Sequence, residues 1–119
     1  MAGIVFLRTA EFNRIVEFYT GQLEMDVWLE QPSITILRHE NLLIGFQDRP
    51  GERPDTDALL TFFYPYRGQV DRMYELLADR ATTEPRENVR YRIYSFYAED
   101  PEKRRIEFQC FLHELPAWG

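Results

Sequence analysis

The order of the predicted secondary-structure elements repeats in the two halves of the chain, and no other feature of the sequence constrains the fold as strongly. In residues 3–47, a strand-length apolar run precedes a helical pattern and three further strands, which gives the order β-α-β-β-β. Residues 58–112 repeat this order, with a strand over 58–64, a turn at 65–68 and then the helix. Two clear strands over 90–97 and 105–112 follow, with one short strand expected near residues 82–85. Residues 48–57 contain Pro50, Gly51 and Pro54 and no apolar side chain, which indicates a linker.

The two predicted helices share one spacing of apolar residues. The i, i+3, i+4, i+7 positions of a helical face are occupied first by Phe12, Ile15, Val16 and Tyr19, and then by Val70, Met73, Tyr74 and Leu77. The last strands of the halves, residues 43–47 and 105–109, also match at an isoleucine, a phenylalanine and a glutamine. Together these matches indicate an internal duplication.

The repeat predicts an α+β protein with one domain, residues 1–119, in which residues 1–47 form a first βαβββ module and residues 58–119 a second. Each sheet is expected to bury one face under its helix. In the last strand, alternation assigns one set to the helix side: Ile106, Phe108, Cys110 and Leu112. The mixed set that faces the other way either lines a cleft or is exposed: Arg105, Glu107, Gln109, Phe111 and His113.

Composition argues against several classes of protein. A net charge of −6 disfavours nucleic-acid binding, which depends on basic surfaces. No apolar run approaches the roughly 20 residues that span a membrane, and the first residues do not resemble a signal peptide. The single cysteine fits a reducing compartment, so we expect a cytoplasmic protein. Aromatic residues make up 15% of the chain, enough to fill a core or to line an apolar pocket.

Two motifs at the ends of the chain resemble a known superfamily. Residues 8–19 and the segment Leu23-Glu24-Met25 resemble its opening, in which a strand leads to an acidic-apolar pair and a helix that ends in Phe-Tyr. Residues 96–102 and the segment Ile106-Glu107-Phe108 resemble its closing signature, an aromatic strand, Asp-Pro, a turn and Ile-Glu-Leu. The chain thus resembles the vicinal oxygen chelate superfamily of glyoxalases, bleomycin-resistance proteins and dioxygenases. This resemblance implies paired βαβββ modules that form a cupped mixed sheet around a ligand site, helices on the outer face, and commonly a homodimer.

The resemblance also implies a metal site, which this sequence does not complete. Enzymes of the superfamily hold a divalent metal with His and Glu from four strands, and those positions carry over to Ile4, Gly45, Leu59 and Glu107. Only Glu107 has a side chain that binds metals, and one carboxylate is too few for zinc or non-haem iron. We therefore expect no metal and no cofactor. The turn departs from the family as well, since Lys103-Arg104 replaces the usual Gly-Asn or Gly-His pair.

Two charged residues are candidates for the site. Arg8 is predicted on the same side of the first strand as Ile4 and Phe6. The resemblance implies that an arginine there contacts an anionic part of a ligand; the alternatives are a pair with Glu107 or a plain surface position. Without a metal, Glu107 is a candidate general base, and its alternative is an ion pair with Arg8 or Arg105.

The remaining residues of the predicted ligand wall are mostly apolar: Phe6, Trp28, Leu59, Thr61, Phe63, Tyr94, Phe96 and Gln109. Such a set implies an apolar cavity with few polar groups. The tail at residues 115–118 is expected to cover the site, to dock on a partner or to be disordered.

We therefore expect a metal-independent protein that binds an aromatic or amphipathic small molecule. The resemblance implies this mode of action, which is that of the bleomycin-resistance proteins. The first alternative is a lyase, isomerase or dioxygenase-like enzyme that uses Glu107 as a base or in a relocated metal site. The second is a dimerising structural module. A homodimer is expected, and a nucleic-acid or membrane partner is not.

Overall fold

The computed structural model describes residues 2–117, so Trp118 of the predicted tail lies outside the described residues. The first half contains β1 (Val5–Thr9), α1 (Phe12–Gly21), β2 (Asp26–Gln31), β3 (Ile34–His39) and β4 (Leu42–Asp48). The second half contains β5 (Leu60–Phe63), α2 (Arg67–Leu76), β6 (Arg86–Asn88), β7 (Ile93–Glu99) and β8 (Arg105–Phe111). The predicted α+β class with two βαβββ modules is confirmed.

Each module forms its own four-stranded sheet, in the orders β1-β4-β3-β2 and β5-β8-β7-β6. The first strand of each module runs parallel to the last, and the other pairs are antiparallel. Parallel neighbours need a crossover connection, which contains the helix in each module. The chain divides into two compact units: a first unit of Met1–Asp57 with Asp100–Arg104, and a second unit of Ala58–Glu99 with Arg105–Gly119.

In the first unit, α1 packs on one face of its sheet. Ile15 and Tyr19 of the predicted helical face are fully buried, and the ring centroid of Tyr19 lies 4.9 Å from that of Phe46 in β4. Phe46 pairs in register with Leu7 of β1, so both side chains point towards the helix. Burial of each such side chain contributes about 1.5–3 kcal/mol, which fixes which face of the sheet is the core.

In the second unit, a row of aromatic rings lies beneath α2. Phe108 of β8 stacks between Phe62 and Phe96, with centroid separations of 5.5 and 5.1 Å. Val70 and Met73 of α2 are buried above this row. The predicted helix-facing residues Ile106, Phe108 and Cys110 are buried; Leu112 lies past the end of β8 and is half-buried.

Three boundaries differ from the sequence prediction. The short strand β6 lies at 86–88 and not at 82–85. Helix α2 starts at Arg67, inside the predicted turn, because the side chain of Gln69 accepts a hydrogen bond from the backbone N–H of Tyr66. Strand β7 starts at 93 rather than 90, because the Asn88 side chain accepts the Tyr91 N–H and holds these residues in a turn.

The β7–β8 turn, Asp100–Arg104, is held by a buried guanidinium. Arg104 is fully buried, and its Nη1 lies 2.6 Å from the Oδ2 of Asp100. Its Nη2 lies 3.4 Å from a carboxylate oxygen of Glu102, and its Nε and Nη2 donate to the backbone carbonyls of Asp55 and Arg8. Two carboxylates and two carbonyls therefore compensate the burial of this cation.

Glu102 of the same turn also caps helix α1. Its Oε2 accepts the backbone N–H groups of Ala10 and Glu11, at 2.9 and 3.3 Å, and its Oε1 accepts the Thr9 hydroxyl. These N–H groups precede the first turn of the helix, where a negative charge is favourable. The structure has no local cap at Glu11, so this carboxylate from a distant part of the sequence performs that role.

Neither helix among residues 2–117 has the length and apolar character that crossing a bilayer requires.

Candidate functional site

The second sheet has one face that points away from α2, and a buried carboxylate lies at its centre. We call this the helix-distal face, and its members in register are Thr61, Phe63, Ser95, Tyr97, Glu107 and Gln109. Glu107 is only 4% exposed. Its Oε1 accepts the Thr61 hydroxyl at 3.0 Å and the Gln109 side-chain amide at 3.1 Å. The ion pairs found in the described part of the chain do not include Glu107, so this anion is held by neutral donors.

Tyr97 completes this polar centre. It lies opposite Glu107 in the β7–β8 register and is half-buried. Burial, followed by the negative charge of Glu107, raises the pKa of its hydroxyl, while Arg105 and Arg86 oppose this effect. The hydroxyl therefore keeps its proton and donates it in a hydrogen bond to Glu107, which is a further cause of the raised pKa. Sequence reasoning missed Tyr97, although its pairing with Glu107 follows once β7 and β8 are aligned around their turn.

Two predicted wall residues lie on the other face of the second sheet. Phe96 is opposite Phe108 in the register and is fully buried beneath α2. Tyr94 is on the same side, and its hydroxyl donates to Asp71 of α2 at 2.5 Å. The prediction for β7 was therefore wrong by one residue in the alternation, and Ser95 and Tyr97 occupy the positions given to Tyr94 and Phe96.

The other predicted wall residues of the second unit lie on the helix-distal face or directly before it in the chain. Thr61 and Gln109 contact Glu107 directly, and Phe63 pairs in register with Gln109 and is 41% exposed. Leu59 precedes β5 and is 40% exposed. The helix-distal face thus combines a buried polar centre with exposed apolar side chains.

In the first unit, Arg8 has a different partner from those predicted. Its Nη2 and Nε lie 2.9 and 3.2 Å from the two carboxylate oxygens of Asp55 in the linker. Hydrogen bonds from the Arg8 side chain and backbone lower the pKa of Asp55 to about 2. The backbone N–H of Asp55 donates to the Arg8 carbonyl, and the backbone N–H of Arg8 donates to the Asp55 carboxylate, so the linker lies along this edge of β1. A pair with Glu107 was one of the alternatives for Arg8; Asp55 was not among them, and nothing in the linker sequence singled it out.

Phe6 and Trp28 are both well exposed. The Phe6 ring lies over Gly45, and a Cβ added to that glycine would stand 2.5 Å from two ring carbons. Trp28 falls at a bulge between Val27 and Leu29 in β2 and is 50% exposed.

Solved structures with this arrangement cover nearly the whole chain. A glyoxalase/bleomycin resistance protein/dioxygenase family enzyme from Burkholderia phytofirmans PsJN superposes with a TM-score of 0.80 at 18% identity, over 92% of this chain and 97% of that one. A glyoxalase/bleomycin resistance protein/dioxygenase from Nocardioides superposes with a TM-score of 0.76 at 17% identity, over 100% of this chain and 89% of that one. A lactoylglutathione lyase from Agrobacterium tumefaciens superposes with a TM-score of 0.72 at 15% identity, over 92% of each chain. The chain has the glyoxalase/bleomycin resistance/dioxygenase fold. No protein-family model and no curated protein matches its sequence.

The residues of this chain do not fit the divalent metal that the glyoxalase fold implies. Of the four carried-over positions, Ile4, Gly45 and Leu59 offer no donor atom. At Gly45, the Phe6 ring fills the space into which a ligand side chain would project. Across residues 2–117, no group of three or more His, Cys, Asp or Glu side chains is placed to hold a metal ion. His39 lies at the end of β3, and the His113 ring packs on Phe111, so neither supplies the missing set.

Proposed function

We propose that this protein binds an aromatic or amphipathic small molecule on the helix-distal face, without a metal. The observation that carries the proposal is Glu107, a buried carboxylate whose hydrogen-bond partners among residues 2–117 are neutral side chains. Removing a carboxylate from water costs several kcal/mol, and a structural carboxylate normally recovers much of this from a cation. Buried ionisable groups that lack a charged partner are typical of binding and catalytic sites.

The surroundings of Glu107 support a ligand with both polar and apolar parts. Thr61, Gln109 and Tyr97 offer a small polar centre, while Phe63 and Leu59 present exposed apolar surface at the same sheet. Binding sites for small molecules combine a few fixed polar groups with a largely apolar lining. Since Glu107 is an acceptor only, the ligand needs an N–H or O–H donor that reaches it.

The proposal is tested with a thermal-shift screen of aromatic and amphipathic compounds against the wild type, Glu107→Gln and Glu75→Gln. Glu75 is an exposed carboxylate of α2, so its variant matches the change in charge. We expect hits with the wild type and with Glu75→Gln that are weakened in Glu107→Gln. Hits that stabilise all three proteins equally would place the ligand elsewhere, and a screen without hits would contradict the proposed function.

A catalytic role has one observation in its favour, the pairing of a carboxylate with a protonated phenol. Glu107 and Tyr97 lie opposite each other, and Tyr97 keeps its proton because the pKa of its hydroxyl is raised. Such a pair can accept a proton from a substrate at one atom and donate a proton at another. Compounds from the screen that are chemically converted by the wild type and not by Glu107→Gln would establish an enzyme. If the compounds remain chemically unchanged after prolonged incubation, the catalytic role is contradicted and the binding function is retained.

The proposal also includes a homodimer in a reducing compartment such as the cytoplasm. Both edge strands of the first sheet expose apolar side chains, Ile4, Val5 and Phe6 at β1, and Val27, Trp28 and Leu29 in β2. Exposed apolar edges favour association, and an identical chain is the partner that the fold likeness suggests. The free thiol Cys110 fits a reducing compartment.

Sedimentation equilibrium tests the dimer. The measured mass should be twice the 14.3 kDa chain mass, and Trp28→Lys should shift the measured mass towards that of the monomer. A wild-type monomer at high concentration would refute the dimer.

A further inference from the structure

We infer that the protein forms a two-fold dimer in which strand β2 of each copy binds the β6–β7 turn of the other copy. This inference rests on the homodimer in the proposed function, since it specifies which surfaces of the two copies meet. Strand β2 spans Asp26–Gln31, and the β6–β7 turn spans residues 89–92. The strand is acidic and apolar, whereas the turn is basic and apolar, so the two surfaces are complementary in charge.

Strand β2 is an open edge of the first sheet. It pairs with β3 on one side, and all six of its residues are exposed. On its other side, its backbone forms no hydrogen bond with the described residues. The opposite edge of this sheet, β1, is partly covered by the linker, because Arg8 and Asp55 bond to each other there. Of the two edges, β2 is therefore the one that a partner can approach along its whole length.

The exposed side chains of β2 combine apolar surface with negative charge. Val27, Trp28 and Leu29 are 49%, 50% and 41% exposed. Asp26 and Glu30 flank them, and neither carboxylate forms an ion pair with a residue of the described chain. The strand itself contains no lysine or arginine. A partner for this strand thus needs apolar side chains with positive charges beside them.

The β6–β7 turn presents such a set. Val89 is 84% exposed, more than any other large apolar side chain described, and Tyr91 is 59% exposed. The guanidinium carbon of Arg90 lies 5.3 Å from the ring centroid of Tyr91, and neither Arg90 nor Arg92 forms an ion pair within the described part of the chain. The Asn88 side chain accepts the Tyr91 N–H at 3.1 Å and fixes the turn in this shape. Two apolar side chains and two free cations are therefore presented together.

A second copy of this chain is the occupant that fits both surfaces. The chain has a net charge of −6, so two copies repel each other unless oppositely charged surfaces meet. Contact between β2 and the β6–β7 turn brings such surfaces together. In a two-fold dimer each copy contributes both of them, so the contact forms twice. Trp28 on one surface and Arg90 and Tyr91 on the other are of the residue types that are enriched in protein–protein interfaces.

The test reverses the charges of the two surfaces, first separately and then together. The three variants are Asp26→Lys/Glu30→Lys, Arg90→Glu/Arg92→Glu and the combination of all four substitutions. Each double variant sets like charges against each other, so its dimer dissociation constant by sedimentation equilibrium should rise at least about tenfold. The combined variant restores opposite charges and keeps the net charge of −6, so it should dimerise as the wild type does. An equimolar mixture of the two double variants should also dimerise, since each supplies the charges that the other needs.

The control is Glu75→Lys/Asp79→Lys, which reverses two exposed carboxylates in and after α2. It changes the net charge as much as Asp26→Lys/Glu30→Lys does. Its dissociation constant should stay within about twofold of the wild-type value, because charges outside the contact are largely screened by salt. Thermal unfolding followed by circular dichroism shows whether each variant is folded.

The outcomes separate this inference from the proposed homodimer. If the wild type is a monomer at every concentration, both are wrong. If the wild type is a dimer and the double variants weaken it no more than the control does, the contact is refuted and the homodimer uses another surface. If the double variants are monomeric and neither the combined variant nor the mixture dimerises, the two surfaces do not meet, and the contact is again refuted. Wild-type species larger than a dimer would refute the two-fold arrangement.

Discussion

The two units each bury a charged side chain, and they compensate it in opposite ways. In the first unit, the Arg104 guanidinium contacts the carboxylates of Asp100 and Glu102 and two backbone carbonyls. In the second unit, the Glu107 carboxylate contacts a hydroxyl and an amide, both neutral. Arg104 is thus paired with carboxylates, whereas the described part of the chain gives Glu107 no ion-pair partner.

This difference separates a structural group from a candidate functional group. Arg104 has charged partners on several sides and joins the linker, β1 and the β7–β8 turn, so its role is to hold the first unit together. The hydrogen-bond partners Thr61 and Gln109 of Glu107 lie on its own sheet. Burial alone does not distinguish Arg104 from Glu107. The charge of their hydrogen-bond partners does.

The largest expected effect is that of Arg104→Met. The substitution leaves Asp100 and Glu102 buried without their cation, so the free energy of unfolding should fall by about 3–5 kcal/mol. Urea unfolding followed by circular dichroism measures this change, with Arg105→Met, an exposed arginine at the next position, as the control. A loss below about 1 kcal/mol, equal to that of the control, would mean that the buried ion pairs do not hold the turn.

A much smaller effect on stability is expected for Glu107→Gln. Glutamine keeps an oxygen that accepts the Thr61 and Gln109 donors and removes the desolvated charge, so the free energy of unfolding should change by no more than about 1 kcal/mol. The same urea assay applies. If Glu107→Gln were as destabilising as Arg104→Met, Glu107 would be a structural residue, and the contrast between the units would disappear.

The elements of this fold follow from local patterns, and its charged centres do not. Helical spacing found α1 through Ile15 and Tyr19, and alternation found the buried face of β8, because those signals lie within one segment. Alternation does not show which residues of β7 face the helix, since Tyr94, Phe96 and Tyr97 are all aromatic. Only the pairing of Phe96 with Phe108 decides it.

The positions of Glu107, Thr61 and Gln109 on one face of the sheet were predictable, because alternation within β5 and β8 determines them. A contact was not predictable where one of its two residues lies in a distant, irregular segment of the chain. Asp55 lies in a linker rich in charged residues, any of which is a plausible partner for Arg8. The burial of Arg104 was not predictable either, because it arises only when β1 and the linker pack around the turn.

The Arg8–Asp55 pair gives a test at acidic pH. The pKa of Asp55 is lowered from 3.8 to about 2 in the folded protein, so the pair adds stability above pH 3.8, and this is lost as the pH falls towards 2. Both side chains are about one-third or more exposed, so the effect should be small and screened by salt. Melting temperatures measured across this range should fall less steeply for Asp55→Asn than for the wild type. Parallel curves would show that this pair does not contribute.

The smallest effect concerns the backbone of the turn that Arg104 holds. Lys103 has a φ of +65°, in the left-handed region where a side chain is strained and glycine is not, and its N–H bonds to the Asp100 carbonyl. Lys103→Gly should therefore raise the free energy of unfolding by about 0.5–1 kcal/mol, since relief of strain outweighs the added freedom of the unfolded chain. Lys103→Ala removes the same charge but keeps the Cβ, so it should bring no gain. If Lys103→Gly were neutral while Arg104→Met remained severely destabilising, the contacts of the buried guanidinium would fix this conformation without measurable strain at Lys103.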